Sequence, residues 1–161
     1  MSFTNLVKVK IEEKSMLVAT AGGHLIELLS AVENIEFANC TLVTTNSEGA
    51  PESTAWDIVT IVDSNARTLW KALTSFRQSF HVVTNCKPRI VISTGASIGV
   101  FIIFWARVFQ GAKCFWIDSV ANTRSLSLSG KIARVMCDKV YVQSSTVANK
   151  SKDLTFLGSV F

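Results

Sequence analysis

The sequence has no pair of cysteines at metal-ligand or redox spacing. Cys40, Cys86, Cys114 and Cys137 stand far apart, with neither a CxxC pair nor a cysteine–histidine grouping, which argues against zinc-ribbon and thioredoxin-type chemistry. Four reduced, mostly buried thiols and no bound metal are the expectation. Long apolar runs are missing as well. The most membrane-like stretch, SIGVFIIFWARVF (97–109), is thirteen residues long and contains Arg107. A span needs about twenty apolar residues, so this stretch reads as a helix buried against a sheet. The opening MSFTNLVKVKIEEKSM lacks the apolar core of a signal peptide, so secretion is not expected.

Several catalytic signatures are absent too. AGGHLIE is not GxGxxG, and no acidic residue ends the second apolar run, so the dinucleotide fingerprint fails. SLSLSGKI ends in Gly130–Lys131 but lacks the first glycine and the hydroxyl residue after lysine, so it is no P-loop. There is no HExxH, no GxSxG elbow and no paired-carboxylate signature. His24 and Glu27 have the spacing of two metal ligands, but no third is evident. No cofactor is implied. The net charge of +4 and pI near 9.0 suit an anionic partner such as a phosphate group or an acidic membrane surface. No basic motif interleaved with aromatics is present, so nucleic acid is not an expected partner.

What the chain does have is a repeated alternation of apolar runs and helical patterns. Strands are expected at 15–20, 40–45, 57–62, 89–94, 113–118 and 139–144, with a last short one in LTFLG. Helices are expected over 22–33, about 64–83, 97–109 and in SGKIARVMC. Continuous apolar strands separated by helices predict one α/β domain over 1–161, a doubly wound, mostly parallel Rossmann-like sheet with both faces covered. In such a sheet ligands bind beyond the carboxyl ends of the strands, near a reversal in strand order. That rule gathers three loops on one edge: TAGGH after the first strand, STGAS (93–97) after the fourth, and IDSVANTRS (117–125) after the fifth.

The first two loops share a logic. Gly22 and Gly23, and Gly95 in the second loop, let a ligand approach the backbone closely. The free N–H groups of the following helix then favour an anion. Ser93, Thr94 and Ser97 add donors or caps, and two such loops facing each other suit a diphosphate. Either loop alone also fits an ordinary tight turn with a capped helix. His24, at the start of a helix, is a candidate proton acceptor or a simple cap. Asp118, at a strand end on the same edge, is a candidate partner in catalysis or a loop cap. Arg124 and Lys131 are candidate phosphate neutralisers. In NARTLWKALTSFRQSFHVV, Leu69, Leu73, Phe76 and Phe80 form an apolar stripe beside Trp70, Arg67, Lys71 and Arg77. That stripe suits an anionic bilayer surface or the face of the sheet.

AGGHLIELL, PRIVISTGASIGV, FWIDSVANTRSLSLSGKIA and the terminal LTFLGSVF, in that order, resemble asparagine-linked glycosylation protein fourteen and its bacterial PssD-type capsule and exopolysaccharide relatives. The resemblance implies the acceptor-side half of a GT-B glycosyltransferase, similar to the amino-terminal domain of MurG. Such a half is a membrane-associating subunit that binds a lipid-diphosphate-linked saccharide and receives a sugar from a nucleotide sugar. It implies a separate donor-binding subunit, PssE-type or similar to asparagine-linked glycosylation protein thirteen, and no activity alone. Gly22, Gly23 and His24 match the first diphosphate loop, and Thr94, Gly95 and Ala96 the second, beside Ser97 and Arg124. His24 and Asp118 become the catalytic candidates, although Asp118 stands where relatives usually carry glutamate. Leu69, Trp70, Leu73 and Phe76 become the membrane-facing set. Gly158, Ser159, Val160 and Phe161 become the partner contact. Eukaryotic members carry an amino-terminal anchor that this sequence lacks, so a cytoplasmic protein peripheral to the inner membrane is expected. Two other classes remain: a non-catalytic scaffold that recruits the donor subunit, and a stand-alone Rossmann-like enzyme.

Overall fold

The computed structural model describes residues 9–50, 56–63 and 69–158. In chain order its elements are β1 (Val9–Ile11), β2 (Ser15–Val18), α1 (Gly23–Ala31), β3 (Ile35–Phe37), β4 (Cys40–Thr44), β5 (Asp57–Thr60) and α2 (Leu69–Cys86). They continue with β6 (Ile90–Ser93), α3 (Ala96–Gln110), β7 (Lys113–Ile117), α4 (Leu128–Met136), β8 (Lys139–Val142), α5 (Ser145–Ala148) and β9 (Leu154–Phe156). Seven strands form one sheet in the order β5-β4-β2-β6-β7-β8-β9, and every neighbouring pair is parallel. From β2 the chain winds one way to β4 and β5, then returns to β6 and winds the other way. The reversal therefore lies between β2 and β6, as a doubly wound sheet requires.

Alternation along the strands decides what covers each face. Met16, Val18, Val91, Cys114, Trp116, Val140 and Val142 point to one side and form a core with Ile98, Ile102 and Ile103 of α3, Val83 of α2 and Ala133 of α4. Leu17, Leu42, Ile92 and Ile117 point to the other side, where Leu25 and Leu28 of α1 cover them. The coverage is unequal. Of the longer helices, α2, α3 and α4 lie on the first face and only α1 on the second. Across β6–β8 the second face keeps an apolar cavity of about 420 Å³, lined by residues that include Ile90, Phe115, Tyr141 and Leu157. Both faces are covered as expected, but unequally: among the described residues, the β2–α1–β4 connection is the one that crosses on that side with a helix.

Three elements lay outside the sequence reading. β1 and β3 pair in parallel as a separate two-stranded sheet, and α5 is a single turn before β9. All are three or four residues long, too short for periodicity to register. The long helix begins within the described residues at Leu69 and runs to Cys86, three residues beyond the expected end; residues 64–68 of that expectation lie outside the described set.

The orientation of α2 is a second correction to the sheet-packing alternative. Its core-facing row is Ser75, Ser79 and Val83, not the apolar stripe. Phe76 and Phe80 turn sideways onto α3. Phe76 meets Phe101, Phe104 and Trp105, and Phe80 meets Trp105 and Phe109. Trp105 Nε1 also donates to the Phe76 carbonyl at 3.0 Å. The contacts advance together along both helices, so α2 and α3 run side by side in the same direction. No helix among the described residues is long and apolar enough to cross a membrane.

Candidate active site

β2 and β6 end side by side, with Val18 in register with Ser93, and each feeds a helix through a glycine. Gly22 precedes α1 with φ +92°, and Gly95 precedes α3 with φ +142°, both backbone states that an L side chain disfavours. Ala96 follows with φ +64°, a left-handed conformation that costs a non-glycine residue about 1–2 kcal/mol. Neither helix start carries a side-chain cap. By contrast, Ser127 caps α4 by accepting from Gly130 N at 2.8 Å. At both N-caps stands a glycine, which has no side chain to offer the first turn, and Gly95 N–H itself donates to Ser93 Oγ at 3.4 Å.

The two loops are joined at His24. Thr94, fully buried, donates through Oγ1 to the His24 carbonyl at 2.6 Å. The imidazole lies over Gly95 so closely that a Cβ there would stand 2.9 Å from His24 Cε1. The absence of that Cβ makes room for the ring. His24 is about one-third exposed and stands between two recesses. One, of about 320 Å³, is lined by His24, Thr94, Gly95, Ala96, Asp118 and the polar residues Ser119, Asn122, Ser127 and Ser129, with Ala121. The other runs past Gly23, Ile26 and Glu27 to Val120.

The loop after β7 closes the third side. Asp118 is buried, and its carboxylate is fully engaged. Oδ1 accepts from Trp116 Nε1 at 3.2 Å and Ser127 Oγ at 2.6 Å, while Oδ2 accepts from Ser127 N at 3.1 Å. Its side chain therefore braces the loop and the start of α4. Glu27, 4% exposed, ties the same loop to α1: Oε1 accepts from Ser119 Oγ at 2.9 Å and Val120 N at 3.1 Å. The structure thus brings His24, Thr94, Gly95, Ala96 and Asp118 around one recess, with Gly23 on the neighbouring one. Gly22 is the N-cap of α1 and lines neither recess. Ser97 and Arg124 do not line the recess, and Arg124 is exposed on the adjoining loop. Lys131 lines a separate pocket with Arg134 and Lys150.

The remaining candidates lie elsewhere. Leu69, Trp70 and Leu73 are 86%, 79% and 51% exposed, while Phe76 is half-buried against α3. Val108 and Phe109 of α3 extend the exposed apolar surface. Because α2 and α3 are parallel, Leu69 and Leu73 sit at the end of the molecule that also carries the α3 start and its glycine loop. Gly158 follows β9, whereas Ser159, Val160 and Phe161 lie outside the described residues. Burial pushes the thiols of Cys40, Cys114 and Cys137 up to about 12, so these three keep their protons at neutral pH.

Glu27, which in the sequence has only the spacing of a metal ligand with His24, is instead the tie between α1 and the loop after β7. Its signal was an acid between Leu25 and Leu28, on the helix side that α1 turns to the core. Its partners are 92 and 93 residues away, beyond the reach of spacing rules.

Against this geometry, the family model of the Alg14-like oligosaccharide biosynthesis proteins matches residues 57–160, nearly two thirds of the chain. The chain belongs to the Alg14-like family. Two curated relatives are each called a UDP-N-acetylglucosamine transferase subunit. The one from Eremothecium gossypii is 27% identical over 104 residues, covering 62% of this chain and 46% of the relative. The one from Yarrowia lipolytica is 25% identical over 164 residues, covering 85% and 76%. Among solved structures, MurG from Acinetobacter baumannii superposes with a TM-score of 0.72 at 12% identity, over 91% of this chain and 46% of its own. The galactosyltransferase WaaB superposes with a TM-score of 0.60 at 12% identity, over 93% and 45%. The Alg14-like chain thus spans under half of the Eremothecium relative and of these solved chains. Its fold is that of a GT-B amino-terminal domain.

Proposed function

We propose that this Alg14-like chain is the acceptor-binding subunit of a two-component glycosyltransferase. It holds a lipid-diphosphate-linked saccharide, which receives a sugar from a UDP-sugar bound by a second, donor-binding subunit of the PssE or Alg13 type. The observation that carries this reading is the meeting of two uncapped, glycine-led helix starts at the strand-order reversal, with His24 between them. The glycine-led turns at Gly22–Gly23 and Gly95–Ala96, each opening a helix, suit the acceptor diphosphate, with Ser97 beside them and Arg124 adding positive charge from the neighbouring loop. His24 takes the proton from the acceptor hydroxyl as its oxygen attacks the anomeric carbon of the donor sugar. The bond from that carbon to the diphosphate oxygen breaks, and UDP departs with the bonding pair, stabilised in the partner's site. Asp118 acts through the loop and Ser127, without touching the substrate.

The exposed Leu69, Trp70 and Leu73, flanked by Lys71 and Arg77, support contact with an anionic bilayer at the edge where a lipid-linked acceptor must arrive. We place the protein on the cytoplasmic face of an inner membrane, in capsule or exopolysaccharide synthesis. The apolar cavity beside Leu157 supports a partner surface there, and by the family resemblance the terminal Gly158, Ser159, Val160 and Phe161 are assigned to the partner contact. The test is transfer from a panel of labelled nucleotide sugars to membrane lipid extract, by this chain alone and with the donor-subunit candidate encoded beside it. Transfer only with both chains is the expected result. Transfer by this chain alone overturns the split, and silence with both supports a scaffold.

A further inference from the structure

The cavities, thiols, basic pocket and apolar faces leave one pair of atoms unexplained inside the site. His24 Nδ1 and Glu27 Oε2 are both buried, and neither has a hydrogen-bond partner. They face one another at 3.5 Å across one turn of α1. Glu27 cannot easily swing away, because its other oxygen accepts from Ser119 Oγ and Val120 N. His24 cannot easily retreat, because its ring lies on Gly95 and its carbonyl is bonded by Thr94. A proton on Nδ1, directed at Oε2, satisfies both orphaned atoms with a small approach of the two groups.

We propose that Glu27 is a positioning residue for His24. It fixes the imidazole tautomer with the proton on Nδ1 and leaves the Nε2 lone pair for the acceptor hydroxyl. This inference rests on the reading of His24 as the base. When Nε2 takes the hydroxyl proton, the imidazolium forms beside a carboxylate that stabilises it and remains ionised, which is how a carboxylate supports a histidine base elsewhere. Glu27 touches no substrate in this arrangement. Because it also binds Ser119 and Val120, the loop after β7 must be in place for the carboxylate to be aimed.

The test combines a spectrum with a rate. The chain has two histidines, so ¹⁵N-histidine labelling of the full chain, with His81→Asn for assignment, reports the His24 tautomer directly at mildly alkaline pH. The wild-type spectrum is expected to show Nδ1 protonated and Nε2 bare. Glu27→Gln keeps an oxygen for Ser119 and Val120 but turns an N–H toward Nδ1, so the tautomer is expected to invert. In the assembled complex kcat then falls about 10²- to 10⁴-fold, by analogy with the aspartate-to-asparagine change in a serine-protease triad, with acceptor KM little changed. A wild-type spectrum with Nε2 protonated overturns the proposal even if the variant fails to fold. So does a folded Glu27→Gln variant with wild-type tautomer, whether its kcat is unchanged or falls with a matching loss of acceptor binding. If the wild-type complex transfers no sugar, the functional reading fails separately, and the tautomer still decides the pairing.

Discussion

Thr94 Oγ1 and the carbonyl of His24 are joined by a 2.6 Å hydrogen bond across seventy residues of sequence. This bond fastens the glycine loop after β6 to the first turn of α1, so the two helix starts share one frame. Thr94→Val keeps the shape and removes the donor. It is expected to cost about 1 kcal/mol of stability and to lower kcat more than that loss explains. Urea unfolding beside transfer kinetics checks both.

Gly95 makes a sharper prediction. A methyl group there would stand 2.9 Å from His24 Cε1, on a backbone with φ +142°. Gly95→Ala is therefore expected to displace the imidazole and abolish transfer, with a destabilisation of about 1–3 kcal/mol. The neighbouring Ala96 gives the opposite sign. At φ +64°, Ala96→Gly relieves left-handed strain and is expected to raise the urea midpoint.

These backbone states mark the limit of what was legible in the sequence. The glycines of TAGGH and STGAS announced two turns, and the apolar runs through Leu17, Leu42 and Ile92 announced a parallel sheet, because both signals are local. β1 and β3 escaped notice because three-residue strands carrying Lys10 and Glu36 have no apolar run to display. The stripe on α2 was visible, but its direction was not. Ser75 and Ser79 look like surface residues in sequence, yet their small size lets the helix sit close to the core. Asp118 stands at the strand-end edge that its place after an apolar run implies, while its commitment to Trp116 and Ser127 depends on how the loop folds back.

The reversed face of α2 has a measurable consequence. Ser79 Oγ is buried without a hydrogen-bond partner, so Ser79→Ala removes an unmet polar group at almost constant volume. Stability is expected to rise by up to about 1 kcal/mol, read as an increase in the urea midpoint. Trp70→Ser combined with Leu73→Ser changes only exposed side chains and should leave that midpoint unaltered. The pair is expected to lose co-sedimentation with anionic vesicles; retained binding would remove α2 from the membrane surface.

The thiols predict a pH dependence. Cys114 ordinarily titrates near 9, but burial pushes it up to about 12. Below 9 the native and unfolded chains both keep the proton, so the contribution is constant. Between 9 and 12 the unfolded chain releases a proton that the native chain retains, so stability falls as pH rises through that window. Cys114→Ala removes this contribution. Relative to wild type, the variant should lose less stability between neutral pH and the alkaline window, measured by urea unfolding.

The most direct measurement is the rate of labelled-sugar transfer to a lipid-diphosphate acceptor by the assembled two-subunit complex carrying His24→Ala. A folded complex that still binds acceptor but has lost kcat by two orders of magnitude or more is the expected result, in line with the loss of a general base. Full activity in that variant would contradict the central claim and leave the glycine loops without a catalytic centre.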